Sequence, residues 1–296
     1  MAVSIQKLVC YFLCIEKIKQ MKKTIILPTD FSDNARNACA YAFGLFGFKD
    51  VRYILLNAYD VPFSRMDILM SLNDLMSNAS QEGLESEIEY FQVEYQDEQL
   101  RMETYSKHGS ISEVIDGAIE LMKPDFVVMG TKGATGLEQA LVGTNTARVI
   151  RNMKCPIIIV PNRADISSPK RIAFAADYEK LSDIYSLEPL RDIALANESK
   201  LFVFNVKPDN NKEDAKSHLH ERDLHRTLKE IPHSFARIYE DDVTEGIEEF
   251  VEDNEIHMLA MVARQHNFFE RLLHRSVTER IAMELDKAPI LIIHEK

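Results

Sequence analysis

The chain has 296 residues, enough for two domains that each bury a core of their own. Acidic residues outnumber basic ones by 47 to 35, and a formal net charge of −12 argues against polyanionic partners, whether nucleic acid or anionic lipid. No apolar run reaches the roughly eighteen residues of a membrane span. The four cysteines, with no metal-ligand spacing beyond the isolated Cys10-x3-Cys14, read as reduced thiols of a cytoplasmic protein.

Residues 1–20 stand apart from the rest of the chain. Their short apolar centre, Leu8–Ile15, is followed by charge (Glu16-Lys17-Ile18-Lys19) and no small-residue cleavage site, unlike a signal peptide. Met21-Lys22-Lys23 reads as the natural start of a domain, and 1–20 as an N-terminal extension, appended or from a misassigned start.

From Met21 strand and helix alternate. Thr24–Pro28 is a continuous apolar run, the pattern of a strand buried on both faces of a parallel sheet. Ser32 is placed to cap a helix from about Asn34 to Phe46, whose small residues (Ala35, Ala38, Ala40, Ala42) suit close packing on a sheet. Val51–Asn57 reads as the second strand. After a polar stretch comes a helix with Leu84, Ile88, Phe91 and Tyr95 on one stripe. Glu103–Lys107 reads as the third strand, Ser110-x-x-Glu113 as a capping box and Asp125–Met129 as the fourth strand. A helix opened by Thr144 leads to the last strand of this half, Pro156–Val160. Such alternation predicts a parallel sheet covered by helices, with ligands at the carboxyl ends of the strands. Asp30 and the glycines after Met129 both fall there.

The fourth strand runs into Gly130-Thr131-Lys132-Gly133, and after nine more residues comes Gly143-Thr144-Asn145-Thr146. This is neither a Walker A loop, which needs Gly-Lys-Ser/Thr, nor the Gly-x-Gly-x-x-Gly dinucleotide fingerprint. Glycines here would let a phosphate meet the backbone with no Cβ in the way. Thr144 can cap a helix whose free N–H groups attract anions. The pattern Gly-x2-Gly-x9-Gly-Thr reads as a backbone-built polyphosphate cradle; its bland alternative is glycines that serve only as turns.

The chain then repeats itself. Arg171–Asp177 echoes the first strand and its Asp30, Leu201–Asn205 echoes Ile54–Asn57, and Pro289–Ile293 echoes the strand that closes the first half. Asn162–Pro169 is the expected linker. The second copy has lost the glycines: with Thr144 set against Ser276, Val262, Gln265 and Arg275 replace Gly130, Gly133 and Gly143. Ser276-x-x-Glu279 still offers a cap, but the side chains would crowd a triphosphate. Arg264, Arg271, His274 and Arg275 leave another anion open; the main expectation is a structural or partner-binding half.

Taken together, residues 21–296 resemble the universal stress protein family in its tandem form, strongly in the first half and in degenerate form in the second. The resemblance rests on Pro28-Thr29-Asp30-Phe31-Ser32, on Met129-Gly130-x-x-Gly133-x9-Gly143-Thr144, and on Cys155–Val160. It implies an α/β chain of two tandem flavodoxin-like (Rossmann-like) domains at 21–161 and 170–296, each a five-stranded parallel sheet flanked by helices, joined by 162–169. It implies ATP as ligand, with magnesium accompanying the phosphates. Pro28 (through its backbone) and Asp30 would contact adenine and ribose, and Ala58 would line the adenine pocket. Met129, Gly130, Lys132 and Gly133 would border ribose and phosphates, and Gly143, Thr144, Asn145 and Thr146 would hold the phosphates. It also implies an internal pseudo-dimer through the two closing strands, a homodimer being possible as well. Pairing would hide an Ile-rich edge that otherwise invites aggregation.

Each residue also has a bland role. Asp30 can simply stabilise the turn before the first helix, Lys132 can be a solvated charge, and Ala58 can be packing. His218, His220 and His225 read as a solvated helix rather than a metal site. Two function classes emerge: a stress-response regulator that binds ATP in its first half, and a slow ATPase. For the second, Glu138 is the nearest carboxylate in sequence, and no catalytic constellation accompanies it. A nucleotide-independent interaction module is the third possibility.

Overall fold

The structure, a computed structural model, describes residues 23–60, 66–131, 148–149, 153–176, 187–207, 215–263 and 287–294, with side chains at 66–71, 215–219 and 263 outside that description. The strands are β1 (Lys23–Pro28), β2 (Val51–Tyr59), β3 (Met102–His108), β4 (Phe126–Gly130), β5 (Ile157–Val160), β6 (Arg171–Ala175), β7 (Lys200–Lys207), β8 (His233–Tyr239), β9 (Met258–Ala263) and β10 (Ile290–His294). Among the described residues the helices are α1 (Asp33–Phe46), α2 (Met66–Tyr95), α3 (Ile111–Met122), α4 (Glu188–Ala196), α5 (Ala215–Thr227) and α6 (Val243–Asp253).

The ten strands of the described residues form one sheet in the order β3-β2-β1-β4-β5-β10-β9-β6-β7-β8. Within each half the pairing is parallel, and the first strand of the half sits at its centre. The halves meet through β5 and β10, which run antiparallel with Ile157, Ile158 and Ile159 opposite Ile292, Leu291 and Ile290. The expected internal pseudo-dimer is therefore a continuous ladder. The two isoleucine-rich edges occupy each other, which removes both as templates for foreign strands.

Alternate residues of each strand feed opposite faces, which is why the strands read as continuous apolar runs. Ile25, Leu27, Val128, Ile158 and Leu291 face a core covered by α1, α2, α4 and α5. Ile26, Val127, Ile157, Ile159 and Ile292 face the other, covered by α3 and α6. Both cores run through both halves. Local signals set the helix starts: Ser32 accepts the Ala35 N–H at 3.3 Å, and Ser110 and Glu113 form the capping box reciprocally.

Two strands run further than their sequence suggests. β2 continues through Ala58 and Tyr59 because Lys107 and His108 of β3 keep the ladder going. β4 includes Gly130, paired with Val160, and the Thr131 N–H still reaches the Val160 carbonyl at 3.1 Å. The segment between β5 and β6 lies along α1: Asn37 donates to the Pro161 carbonyl at 3.0 Å, and a Cβ on Gly44 would stand 2.5 Å from the Ile166 carbonyl. Near it Lys23 and Asp192 form an ion pair between the halves at 2.8 Å.

Candidate functional site

The carboxyl edge of the first half is built from the turn after β1, the end of β4 and the end of β2. β1 pairs with β2 through Pro28 and Leu56, and with β4 through Ile25–Phe126 and Ile26–Val127. Extending that register puts Thr29 level with Gly130 and Asn57. The switch point thus lies between β1 and β4, where open α/β sheets take their ligands.

The turn is held tightly. The Thr29 N–H donates to Leu56 at 2.8 Å, its carbonyl accepts from Asn57 Nδ2 at 2.7 Å, and its hydroxyl accepts from the Phe31 N–H at 3.0 Å. Asn57 in turn accepts from the Ser80 hydroxyl at 2.7 Å, and Ser80 lies 2.7 Å from the Ser106 hydroxyl. Buried polar atoms survive because each finds a partner. Phe31 has φ of 65°, the left-handed region a bulky side chain seldom occupies. Past it, Ser32 opens α1.

Asp30 is exposed at the tip. Its Oδ1 accepts from the Ser32 N–H at 3.2 Å and from the Ser32 hydroxyl at 2.5 Å, so the bland role of bracing the turn is real. That role keeps the carboxylate exposed at the strand edge. Gly130 answers a demand of the protein itself: a Cβ there would stand 3.1 Å from the Asn34 carbonyl oxygen in the first turn of α1. The close approach brings the end of β4 against the β1–α1 turn.

Of the residues expected at the site, Pro28, Asp30, Met129 and Gly130 come together at this edge. Ala58 sits one strand out and half-buried against the α3 core, a packing position at the same edge. The Met129 side chain is buried in that core, which leaves its backbone as the part able to border a ligand. Lys132, Gly133, Gly143, Thr144, Asn145 and Thr146 lie outside the described residues, as do Asp177, Glu138 and the Ser276 region. Asn57, Ser80 and Ser106 escaped the sequence reading. The one signal for them was a polar residue ending the apolar run Ile54–Leu56, repeated as Asn205. Asn205 makes the same bond in the second half, to the Ala176 carbonyl at 2.7 Å.

Among the described residues no group of three His, Cys, Asp or Glu could hold a metal, and no helix is long and apolar enough to cross a membrane. His225 faces His233 on β8, ring nitrogens 2.7 Å apart, and His233 also bonds the Ile231 carbonyl.

The comparisons agree with this architecture. A universal stress protein of Methanocaldococcus jannaschii is 30% identical over 146 residues, covering 48% of this chain and 84% of its own length. A universal stress protein of Synechocystis is 26% identical over 141 residues, covering 48% of this chain and 87% of its own length. A universal stress protein structure from Archaeoglobus fulgidus covers 92% of this chain and 96% of its own at a TM-score of 0.67; at 18% identity it speaks to the fold alone. The profile of the universal stress protein family matches residues 21–161 and, a second time, 169–294. With the family profile matched twice and the two matches joined in one sheet, the chain belongs to the universal stress protein family as a tandem member.

Proposed function

We propose that the chain is a regulator that binds ATP at the carboxyl edge of its first half, its second half being structural or partner-binding. The observation that carries this reading is the convergence of the braced Asp30 turn with the Gly130 end of β4 at the switch point. The residues fit a nucleoside there: an exposed carboxylate suits ribose hydroxyls, and the backbone near Pro28 and Ala58 suits a flat base. Lys132, Gly133 and Gly143–Thr146 complete the proposal as the phosphate side, where backbone N–H groups and one lysine would meet the polyphosphate with its magnesium.

A ligand that prefers one state stabilises it by mass action, so ATP level would be read out as stability and as partner contact. Work of this kind fits a cytoplasmic protein. A homodimer would need a surface other than β5 and β10, since these already pair with each other.

The test is calorimetric titration of ATP with magnesium into the full chain, followed by assay of the same sample for ADP. One site per chain with ATP intact is the expected result. Steady ADP production would replace the regulator with an ATPase, and absence of binding would leave a nucleotide-independent module.

A further inference from the structure

Resting on the ATP reading, we propose that one face of α2, Ser80–Gly83–Glu87, is the positioning element that sets the Thr29–Ser32 turn for the nucleoside. These three residues fall on successive turns of the helix and share one side. Each grips a different part of the β1–α1 segment.

Ser80 acts on the turn's backbone. Its hydroxyl is buried between Ser106 and Asn57, and it fixes the Asn57 amide that holds the Thr29 carbonyl. Glu87 acts on α1, directly after the turn. Its buried carboxylate takes Arg36, in the first turn of α1, through Nε at 3.0 Å to both oxygens and through Nη2 at 2.6 Å. That geometry fixes direction as well as distance.

Gly83 acts on the side chain between them. A Cβ at Gly83 would stand 2.6 Å from Phe31 Cζ and 3.0 Å from each Cε, so the ring meets the helix end-on. Cζ lies on the Cβ–Cγ axis, so rotation about χ2 leaves it in place. Relief needs a new χ1 or a displaced turn. The turn carries Phe31 at φ 65°, a strained conformation that lasts only where its surroundings over-determine it. The α2 face supplies that over-determination, and Asp30 is the residue it aims.

The experiment uses the full chain with ATP–magnesium as probe, and thermal unfolding measured beside affinity. Gly83→Ala should weaken ATP about tenfold, a change readily resolved by titration. Its melting temperature should change little, because alanine's advantage over glycine in a helix interior offsets the cost of moving the ring. Shortening the ring that collides should undo the loss: Phe31→Leu with Gly83→Ala should return affinity to within about threefold of wild type, a non-additivity expected only of residues in contact. Ser80→Ala adds no bulk and decides the matter should Gly83→Ala misfold; it too should weaken ATP, by about threefold or more, for loss of a bond that orients another group.

Wild-type affinity in Ser80→Ala, or a Gly83→Ala loss that the double variant does not recover, overturns the inference while leaving ATP binding in place. A wild-type chain that binds no ATP removes the reading beneath it instead.

Discussion

Cys155 shows how far burial alone can silence a reactive group. Its thiol donates to the Pro124 carbonyl at 3.4 Å and is buried beside β4, and loss of solvent pushes its pKa up to about 12, with the nearby Asp125 adding to the shift. Cys39, buried in α1, is shifted the same way by burial. The thiolate is the nucleophile, so neither residue should react with iodoacetamide at pH 8 in the folded chain, and both should react in denaturant. Peptide mapping by mass spectrometry reads this directly; rapid native labelling of either would contradict the burial described. The same shift sets the sign for stability. Above the ordinary thiol value of 9.0 the unfolded chain releases the Cys155 proton while the folded chain keeps it. Folding stability is therefore full below pH 9 and falls as pH rises towards 12. Cys155→Ala should flatten that alkaline limb by up to about 1.4 kcal/mol per pH unit, measured by urea unfolding between pH 9 and 10.5.

At the scale of elements, α1 is the piece on which the first half is assembled. Phe43 sits at its centre, with ring centroids 4.8 Å from Tyr53 on β2, 5.2 Å from Phe91 and 5.1 Å from Tyr95 on α2, and 5.6 Å from Phe48. Most of these contacts are edge-on, the arrangement aromatic quadrupoles favour. Phe43→Ala should cost about 3–5 kcal/mol, read from the denaturant midpoint at unchanged slope, whereas a loss below about 1 kcal/mol would mean the cluster repacks. Much of this scale was legible in the sequence. The Ser32 cap, the Ser110–Glu113 box and the double-sided strands each depend on neighbours a few residues apart, and each is where the local pattern put it. Strand ends were less legible: Gly130 belongs to β4 because β5 carries the pairing through Val160, a fact about a partner strand. α2 begins at Met66, well before the Leu84 stripe from which the helix was read, although Ser64-x-x-Asp67 offers a start signal there. The Asn57–Ser80–Ser106 chain was hidden, since residues from β2, α2 and β3 must fold together before the bonds exist. Asp30 and Gly130 stood out because their chemistry is unusual at a strand end, while Ser80 and Gly83, set behind the Thr29–Ser32 turn, look like ordinary helix residues.

At the scale of the whole molecule, the two halves stand or fall on a short seam. Ile158 faces Leu291 directly across β5 and β10, and neither has any exposed surface. Directly opposed side chains are the unit of sheet stability, and here they also join the two halves of one core. The other described link in ionic form, Lys23 with Asp192, is half exposed and worth at most about 1 kcal/mol. A continuous ten-stranded sheet with shared cores should unfold in one cooperative step, with circular dichroism and tyrosine fluorescence giving coincident urea curves. Ile158→Asp places an unpaired carboxylate in the middle of the seam, where desolvation without a partner costs several kcal/mol. The charge cannot reach solvent along the strand, because Ile157 and Ile159 on either side are buried as well. The variant should therefore lose the seam before it loses either half, lowering the midpoint and splitting the single transition into two. Two non-coincident transitions in the unaltered chain would show the halves to be independent bodies. A variant that still unfolds in one step at the wild-type midpoint would show that α1 and α4 hold the halves together without the ladder.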